Sequence, residues 1–268
     1  MTCGEIRDRL DRAGIEDAEF EARLLVREIL GVPDYEILSG GDYRSEKLVD
    51  AVSRREKREP LQYILGKWWF YGREFYVDRS CLCPRPDTET LVEAAVKEIP
   101  EGGTFCDIGT GSGAIAVSVL CERPDLACVA VDISPGALAA AEKNARKHGV
   151  FDRCAFAICD ALDPEKLNSL GRFDAVLSNP PYIPSEEING LSPEVLSEPR
   201  AALDGGGDGL DFYRSILSCE MLKDERSFYM FEIGKGQYGG VLSLAAKKGL
   251  GGTPYFDLSG IKRVIKIR

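Results

Sequence analysis

The sequence predicts an α/β fold: a seven-stranded, mostly parallel sheet with crossover helices, preceded by a small helical domain and a β-hairpin. Three observations carry this. From residue 87 onward strand and helix patterns alternate, as a parallel sheet requires when each return crossover is a helix. One strand runs directly into a Gly-rich turn and a helix, Asp107-Ile108-Gly109-Thr110-Gly111-Ser112-Gly113 ahead of Ala114. Residues 1 to about 60 hold helical patterns alone. The expected division is a helical domain over 1–64, a hairpin linker over 65–86 and an α/β domain over 87–268.

Each element follows from local chemistry. Thr2 and Glu5 have capping-box spacing ahead of Ile6 and Leu10, and Phe20, Leu24, Leu25 and Ile29 form an apolar stripe that stops at Gly31 and Pro33. Ser45 is placed to cap a last helix through Leu48, Val49 and Val52 into the charge run Ser53–Glu59, whose mixed signs predict a solvated face. In Trp68–Val77, two aromatic, strand-prone runs flank Gly72 and read as the hairpin. Strands are expected over 103–107, 127–131, 154–158, 174–178, 227–233, 254–258 and 262–267, with helices starting near Gly113, Pro135, Gly209 and Gly236. The second of these helices is the best punctuated, with Ser134 as N-cap, Pro135 at the first helical position and Gly149 just past the end. His148, the one histidine, falls where a cation suits a helix C-terminus and is not expected to act as a catalytic base.

Composition narrows the function. The 268 residues, at roughly 150 per domain, are enough for two domains. With 34 Lys and Arg against 44 Asp and Glu, the net charge of −10 disfavours a protein that grips nucleic-acid phosphates non-specifically. Nine cysteines without a C-x-x-C pair, and a single His, predict reduced, mostly buried thiols and no metal site. The charged N-terminal residues lack the apolar stretch of a signal peptide and no later run is long enough to span a bilayer, so the expected location is the cytoplasm, with no membrane contact.

Two constellations carry the chemistry. A Gly turn at a helix N-terminus lets a ligand approach outward-pointing N–H groups. Its G-x-G-x-G spacing is shorter than the G-x-G-x-x-G of dinucleotide binders, and Asp107 just before it suits an amino group better than a pyrophosphate. The next strand ends at Asp132, where a carboxylate accepts hydrogen bonds from ribose hydroxyls; nicotinamide and S-adenosylmethionine both satisfy this. The fourth strand then runs into Asn179-Pro180-Pro181-Tyr182. Two prolines hold the backbone extended and make the Asn179 side chain and the Pro180 carbonyl neighbouring acceptors, a match for the two hydrogens of an NH2 group.

Taken together, the Gly turn, Asp132 and Asn179–Tyr182 resemble S-adenosylmethionine-dependent methyltransferases that act on planar amino groups. More narrowly, Pro84-Arg85-Pro86-Asp87-Thr88-Glu89, Glu198-Pro199-Arg200-Ala201-Ala202-Leu203, Gly207-Asp208-Gly209-Leu210-Asp211, and Phe231-Glu232-Ile233-Gly234 with Gln237 resemble the release-factor glutamine methyltransferases, the HemK/PrmC family. The resemblance runs from about Pro60 to the C-terminus; the helical block matches in type and length. It implies a Rossmann-like methyltransferase sheet. It also implies methyl transfer from S-adenosyl-L-methionine, leaving S-adenosyl-L-homocysteine, to the Gln amide of the Gly-Gly-Gln motif in class-one peptide chain release factors. By this likeness Asp107 and the backbone of Gly109, Thr110, Gly111, Ser112 and Gly113 cradle the methionine part. Asp132 holds the ribose, Asp160 and Ala161 border the adenine with Ile133 as a second apolar candidate, and Asn179, Pro180, Pro181 and Tyr182 hold the substrate amide, Asn179 also bordering the cofactor and Tyr182 stacking on the amide. Where the family often has a bulky aromatic, this chain has Ala161 and Leu162. The alternatives are an adenine amino methyltransferase acting on nucleic acid, and a non-catalytic Rossmann-type binding or oxidoreductase module.

Overall fold

The computed structural model describes all 268 residues. They form two compact units: residues 1–67 with 191–197, and residues 68–190 with 198–268. The segment 191–197 thus belongs with the helical residues, whereas sequence alone placed it in the α/β part.

The smaller unit holds α1 (Cys3–Arg12), α2 (Ala18–Leu30), α3 (Asp34–Ser39), α4 (Glu46–Glu56) and α5 (Leu61–Leu65). Thr2 opens α1 with a reciprocal cap: its Oγ1 accepts from Glu5 N at 3.2 Å, and Glu5 Oε2 accepts from Thr2 N at 2.8 Å. Ile6 and Leu10 of α1, Ala22, Leu25 and Val26 of α2, and Leu48 and Val52 of α4 are buried together as the core of this unit. Phe20 departs from the expected stripe and is 58% exposed, because Leu24, Leu25 and Ala22 already fill the buried face of α2.

The charge run at the end of α4 is not the solvated face that its mixed signs predict. Arg55 is buried, and its guanidinium donates to both oxygens of Glu21 (2.6 and 3.1 Å) and to Glu194 Oε1 at 2.9 Å. Glu194 comes from the short segment 191–197, and its other oxygen accepts from Arg58 at 2.9 Å. Arg55 thereby joins elements 34 and 139 positions away in the chain. Removing one partner of a buried ion pair leaves the others desolvated and uncompensated. Arg55→Met is expected to lower stability by about 3 kcal/mol, measured as the shift of the urea unfolding midpoint; a change within 0.5 kcal/mol (roughly the scatter at surface sites) would show that the two glutamates do not depend on it.

The larger unit opens with a hairpin of β1 (Lys67–Phe70) and β2 (Arg73–Tyr76). Its two turn residues, Tyr71 and Gly72, both have positive φ, 48° and 70°, the sign that matches a tight turn to the twist of two strands. There follow α6 (Glu89–Glu98), β3 (Thr104–Ile108), α7 (Ala114–Glu122), β4 (Ala127–Asp132), α8 (Pro135–Lys147), β5 (Cys154–Ile158), α9 (Pro164–Ser169) and β6 (Ala175–Ser178). After α10 (Pro193–Leu196) of the smaller unit come α11 (Asp211–Ser218), β7 (Phe228–Glu232), α12 (Tyr238–Ala246), β8 (Gly252–Phe256) and β9 (Lys262–Ile267). The sheet has seven strands in the order β5-β4-β3-β6-β7-β9-β8, parallel from β5 to β7 and antiparallel at β9 and β8.

Alternation along the strands sends one set of side chains to each face. Phe105, Ala130, Leu177, Phe228 and Met230 meet Leu91 of α6 and Val117 and Leu120 of α7. Cys106, Ile108, Val176, Tyr229 and Phe231 meet Leu167 of α9, Tyr213 and Ile216 of α11, and Val241 of α12. α8 keeps its expected ends: Ser134 Oγ accepts from Ala137 N at 3.2 Å, His148 stands at the C-cap, and Gly149 has φ 70°. The chain leaves β3 for β4 on one side and later returns as β6 on the other, so a crevice opens at the carboxyl ends of β3 and β6, where ligands bind in such sheets. No helix is long and apolar enough to cross a membrane.

Candidate active site at the carboxyl ends of the central strands

A cavity of about 350 Å³ occupies this crevice. Its floor is the Gly turn, held from β4: Val131 O accepts from both Gly109 N and Thr110 N at 2.9 Å, and Asp132 Oδ2 accepts from Gly111 N at 2.9 Å. The other oxygen of Asp132 accepts from Ser134 N at 2.9 Å, so one carboxylate ties the turns after β3 and β4 together. Burial raises the pKa of Asp132, opposed by these backbone donors. Gly109 and Gly111 have φ of 71° and 56°; a Cβ built on Gly109 would meet nothing within 4 Å and one on Gly111 only Cys81 at 4.0 Å, so the turn presents bare backbone to open space.

Of the residues singled out in the sequence, Gly109, Thr110, Gly111, Ser112, Asp132 and Ile133 line this cavity. Asp160, Ala161, Asn179 and Pro181 do so as well. Gly113 does not. It serves packing instead, since a Cβ there would stand 3.1 Å from Ala141 of α8. Pro180 is buried and lies outside the lining. Asp107 is also outside it. By strand alternation its side chain turns under α7, where Oδ2 accepts from Thr110 Oγ1 at 2.7 Å and from Ala116 N at 3.2 Å. Its Oδ1 is buried without a partner, and burial pushes its pKa up to about 7.

Tyr182 does not line the cavity either. It turns inward, its hydroxyl 3.4 Å from Glu232 Oε1, and burial raises its pKa. Its backbone is clasped by Gln237, whose Nε2 donates to Tyr182 O at 2.8 Å while Oε1 accepts from Gly234 N at 2.9 Å.

The structure adds residues to the wall that sequence reasoning did not assign. Thr88 accepts from Asn179 Nδ2 at 3.1 Å, and both residues line the cavity. Arg85 pairs with the buried Glu198, whose Oε2 also accepts from Cys83 N at 3.2 Å. Glu89 accepts from Tyr71 N at 2.7 Å, and Asp87 pairs with Arg263 at 2.9 Å. The run Pro84–Glu89 is therefore a bracket: each of its polar side chains fastens a different segment around the crevice. Phe212 of α11 supplies an aromatic ring to the cavity wall where Ala161 does not. Cys81 and Cys159 also line the cavity; burial holds both thiols protonated, Cys81 up to about 11. None of the nine cysteines forms a disulfide, and no three His, Cys, Asp or Glu residues are grouped to hold a metal.

A Gly turn under an acidic strand end, with Asn-Pro-Pro-Tyr closing the neighbouring strand, is the arrangement of a methyltransferase, and residues 86–228 match the methyltransferase small domain family. Residues 4–66 match the PrmC N-terminal domain, and the chain belongs to the release factor glutamine methyltransferase family. It is 41% identical to the release factor glutamine methyltransferase of Geobacter sulfurreducens, over 97% of this chain and 92% of that one. It is 40% identical to that of Rhodospirillum rubrum, over 100% and 85%, and 41% identical to that of Nitratidesulfovibrio vulgaris, over 98% and 92%. Among solved structures, the human Mettl16 catalytic domain in complex with the MAT2A 3′UTR hairpin 6 aligns with a TM-score of 0.58 at 15% identity, over 90% of this chain and 91% of that one, a likeness of fold alone.

Asp107 gives the site a pH signature. A carboxyl with a folded pKa near 7 and an unfolded one of about 4 leaves the folded protein holding the extra proton in between. Its contribution to stability is therefore full below the unfolded value, falls as pH rises, and is lost above the folded one. Asp107→Asn removes this titration. The stability of the parent relative to the variant, from urea unfolding, is expected to decline between about pH 4 and 7. A constant difference over that range would mean that Asp107 is ionised throughout.

Proposed function

We propose that this chain transfers a methyl group from S-adenosyl-L-methionine to the Gln side-chain amide in the Gly-Gly-Gln motif of class-one peptide chain release factors, acting in the cytoplasm without binding nucleic acid directly. The observation that carries the reading is Asn179, held through its Nδ2 by Thr88 in the wall of a cavity floored by bare glycine backbone; in this reading its Oδ1 is left for the substrate. Family membership at about 40% identity over nearly the whole chain supports the substrate.

The cavity suits the cofactor. Gly109 and Gly111 leave room against their backbone, Asp132 and Asp160 offer carboxylate acceptors for hydroxyl and amino groups, and Ile133, Leu162 and Phe212 offer apolar surface for a flat base. When bound, the cofactor supplies an electrophilic methyl on a sulfonium. An amide nitrogen is a weak nucleophile because its lone pair is delocalised, and the chain has no base placed to deprotonate it. Asn179 Oδ1 instead accepts one amide hydrogen, and the carbonyl of Pro180, itself outside the lining but set between the lining residues Asn179 and Pro181, accepts the other; together they stabilise the positive charge that grows on nitrogen. Gln237 holds the backbone after Pro181 by its bond to Tyr182 O, which keeps both acceptors in place. Excess proton leaves to water after transfer.

Asn179→Ala is expected to lower the single-turnover rate on the order of 100-fold, with little change in cofactor affinity. Asp132→Ala is expected to do the reverse, weakening cofactor binding in calorimetry by at least about 1.5 kcal/mol, since it also frees the Gly111 amide. Methyl transfer at the parental rate by the Asn179 variant would sink the two-acceptor mechanism. Transfer to RNA or DNA adenine, and none to a release factor, would sink the substrate assignment.

The helical residues 1–64 hold the body of the release factor in this reading, because a Gly-Gly-Gln loop alone offers few contacts. Tyr35 and Leu38 are 71% and 70% exposed. Replacing both with Ala is expected to raise KM for the whole factor several-fold and leave kcat unchanged; an unaltered KM would remove this patch from the docking surface.

A further inference from the structure

Glu232 is the least explained group near the site. It ends β7, is 1% exposed, and its Oε2 is buried without a partner. Parallel pairing of β6 and β7 sets Ser178 beside Phe231, and one residue beyond that pair stand Asn179 and Glu232. Beside both stands Thr88, which accepts Asn179 Nδ2 at 3.1 Å and lies near enough to the Glu232 carboxylate to hold its pKa down. The other groups facing Glu232 are the Tyr182 hydroxyl at 3.4 Å, the charges of Arg263 and Asp87, and Tyr213, whose hydroxyl donates to the Glu232 carbonyl at 2.8 Å.

We propose that Glu232 is a positioning residue for methyl transfer: its carboxylate, through the Thr88 hydroxyl, fixes which edge of the Asn179 amide faces the substrate. This rests on the acceptor role given to Asn179 above. A threonine hydroxyl has a single proton, and a carboxylate can only accept. With Glu232 ionised, the Thr88 proton is committed to it and Thr88 can only accept from Asn179. The Asn179 NH2 edge is then held against Thr88 and Oδ1 is left for the substrate. Without that commitment Thr88 can donate to Oδ1, the amide turns over, and an NH2 group meets the hydrogens it should accept. Burial pushes the Glu232 pKa up to about 7, so the relay is switched off as Glu232 is protonated.

The experiment is single-turnover methyl transfer to a release factor at saturating cofactor, from pH 6 to 8.5, for the parent, Glu232→Gln, Thr88→Val, Thr88→Ser and the Thr88→Val/Glu232→Gln double variant. The parental rate should rise with pH through about 7, and Glu232→Gln should lose that rise and fall on the order of tenfold at pH 8. Thr88→Val should lose as much, Thr88→Ser should restore the rate, and the double variant should be no slower than Thr88→Val alone, because Glu232 acts through that hydroxyl. Cofactor affinity by calorimetry should stay within about threefold throughout. Parental rates in Glu232→Gln, or losses that multiply in the double variant, overturn the proposal. If Glu232→Gln fails to fold, the Thr88 pair decides: restoration by Ser supports the relay, and equal rates or equal losses for Val and Ser overturn it. A parent that transfers no methyl to the release factor overturns the functional reading itself, and the relay with it.

Discussion

The hydrogen bonds that leave the end of β4 fix the site. Val131 O holds two consecutive amides of the turn after β3, and Asp132 holds a third while its second oxygen starts the turn into α8. A glycine turn is otherwise the most permissive backbone in the chain, and three of these four bonds turn it into a rigid surface. Everything else in the crevice is measured from it: α7 begins where the turn ends, and the helix that Ser134 caps begins where Asp132 ends. A carboxylate with both oxygens already engaged by backbone can still accept from a ligand through its remaining lone pairs, and it does so without reorganising.

The core around this turn carries two acids with pKa values near 7, Asp107 beneath α7 and Glu232 at the end of β7. Neither is compensated by a direct salt bridge, and each keeps one oxygen without a partner. Elsewhere the chain pairs its buried charges: Arg55 with Glu21 and Glu194, and Glu198 with Arg85. The contrast locates strain. Ion pairs hold loops and helices, whereas the unpaired acids sit at the carboxyl ends of strands that border the site, where stability is commonly traded for chemistry.

What the sequence made legible were the features written in consecutive residues. The Gly turn, Asp132 and the Asn-Pro-Pro-Tyr run each sit on one strand end, so reading them needed the α/β pattern alone. Ser134 with Pro135 and Gly149 marked α8 for the same reason. What stayed hidden depends on partners far along the chain. Arg55 looks solvated because its neighbours in sequence are charged, yet its partner Glu194 is 139 residues away. Thr88 stands in the Pro84–Glu89 run with no role of its own, and only the fold brings it to Asn179, 91 residues on. Tyr182 was expected against the substrate; its hydroxyl instead meets Glu232, a partner 50 residues on that no local pattern encodes. Helix α9 was missed because six residues cannot display a helical period.

The two cavity cysteines give the site a chemical consequence of another kind. A pocket that holds an alkylating agent against its own wall is exposed to self-modification, and sulfur is the most nucleophilic atom the chain could present. Thiolates, not thiols, are the reactive form. Burial pushes the Cys81 thiol up to about 11 and raises that of Cys159 as well, so both stand in the less reactive thiol form at neutral pH. The same apolar surroundings that give the cavity its shape thus act as a protecting group for the enzyme's own side chains.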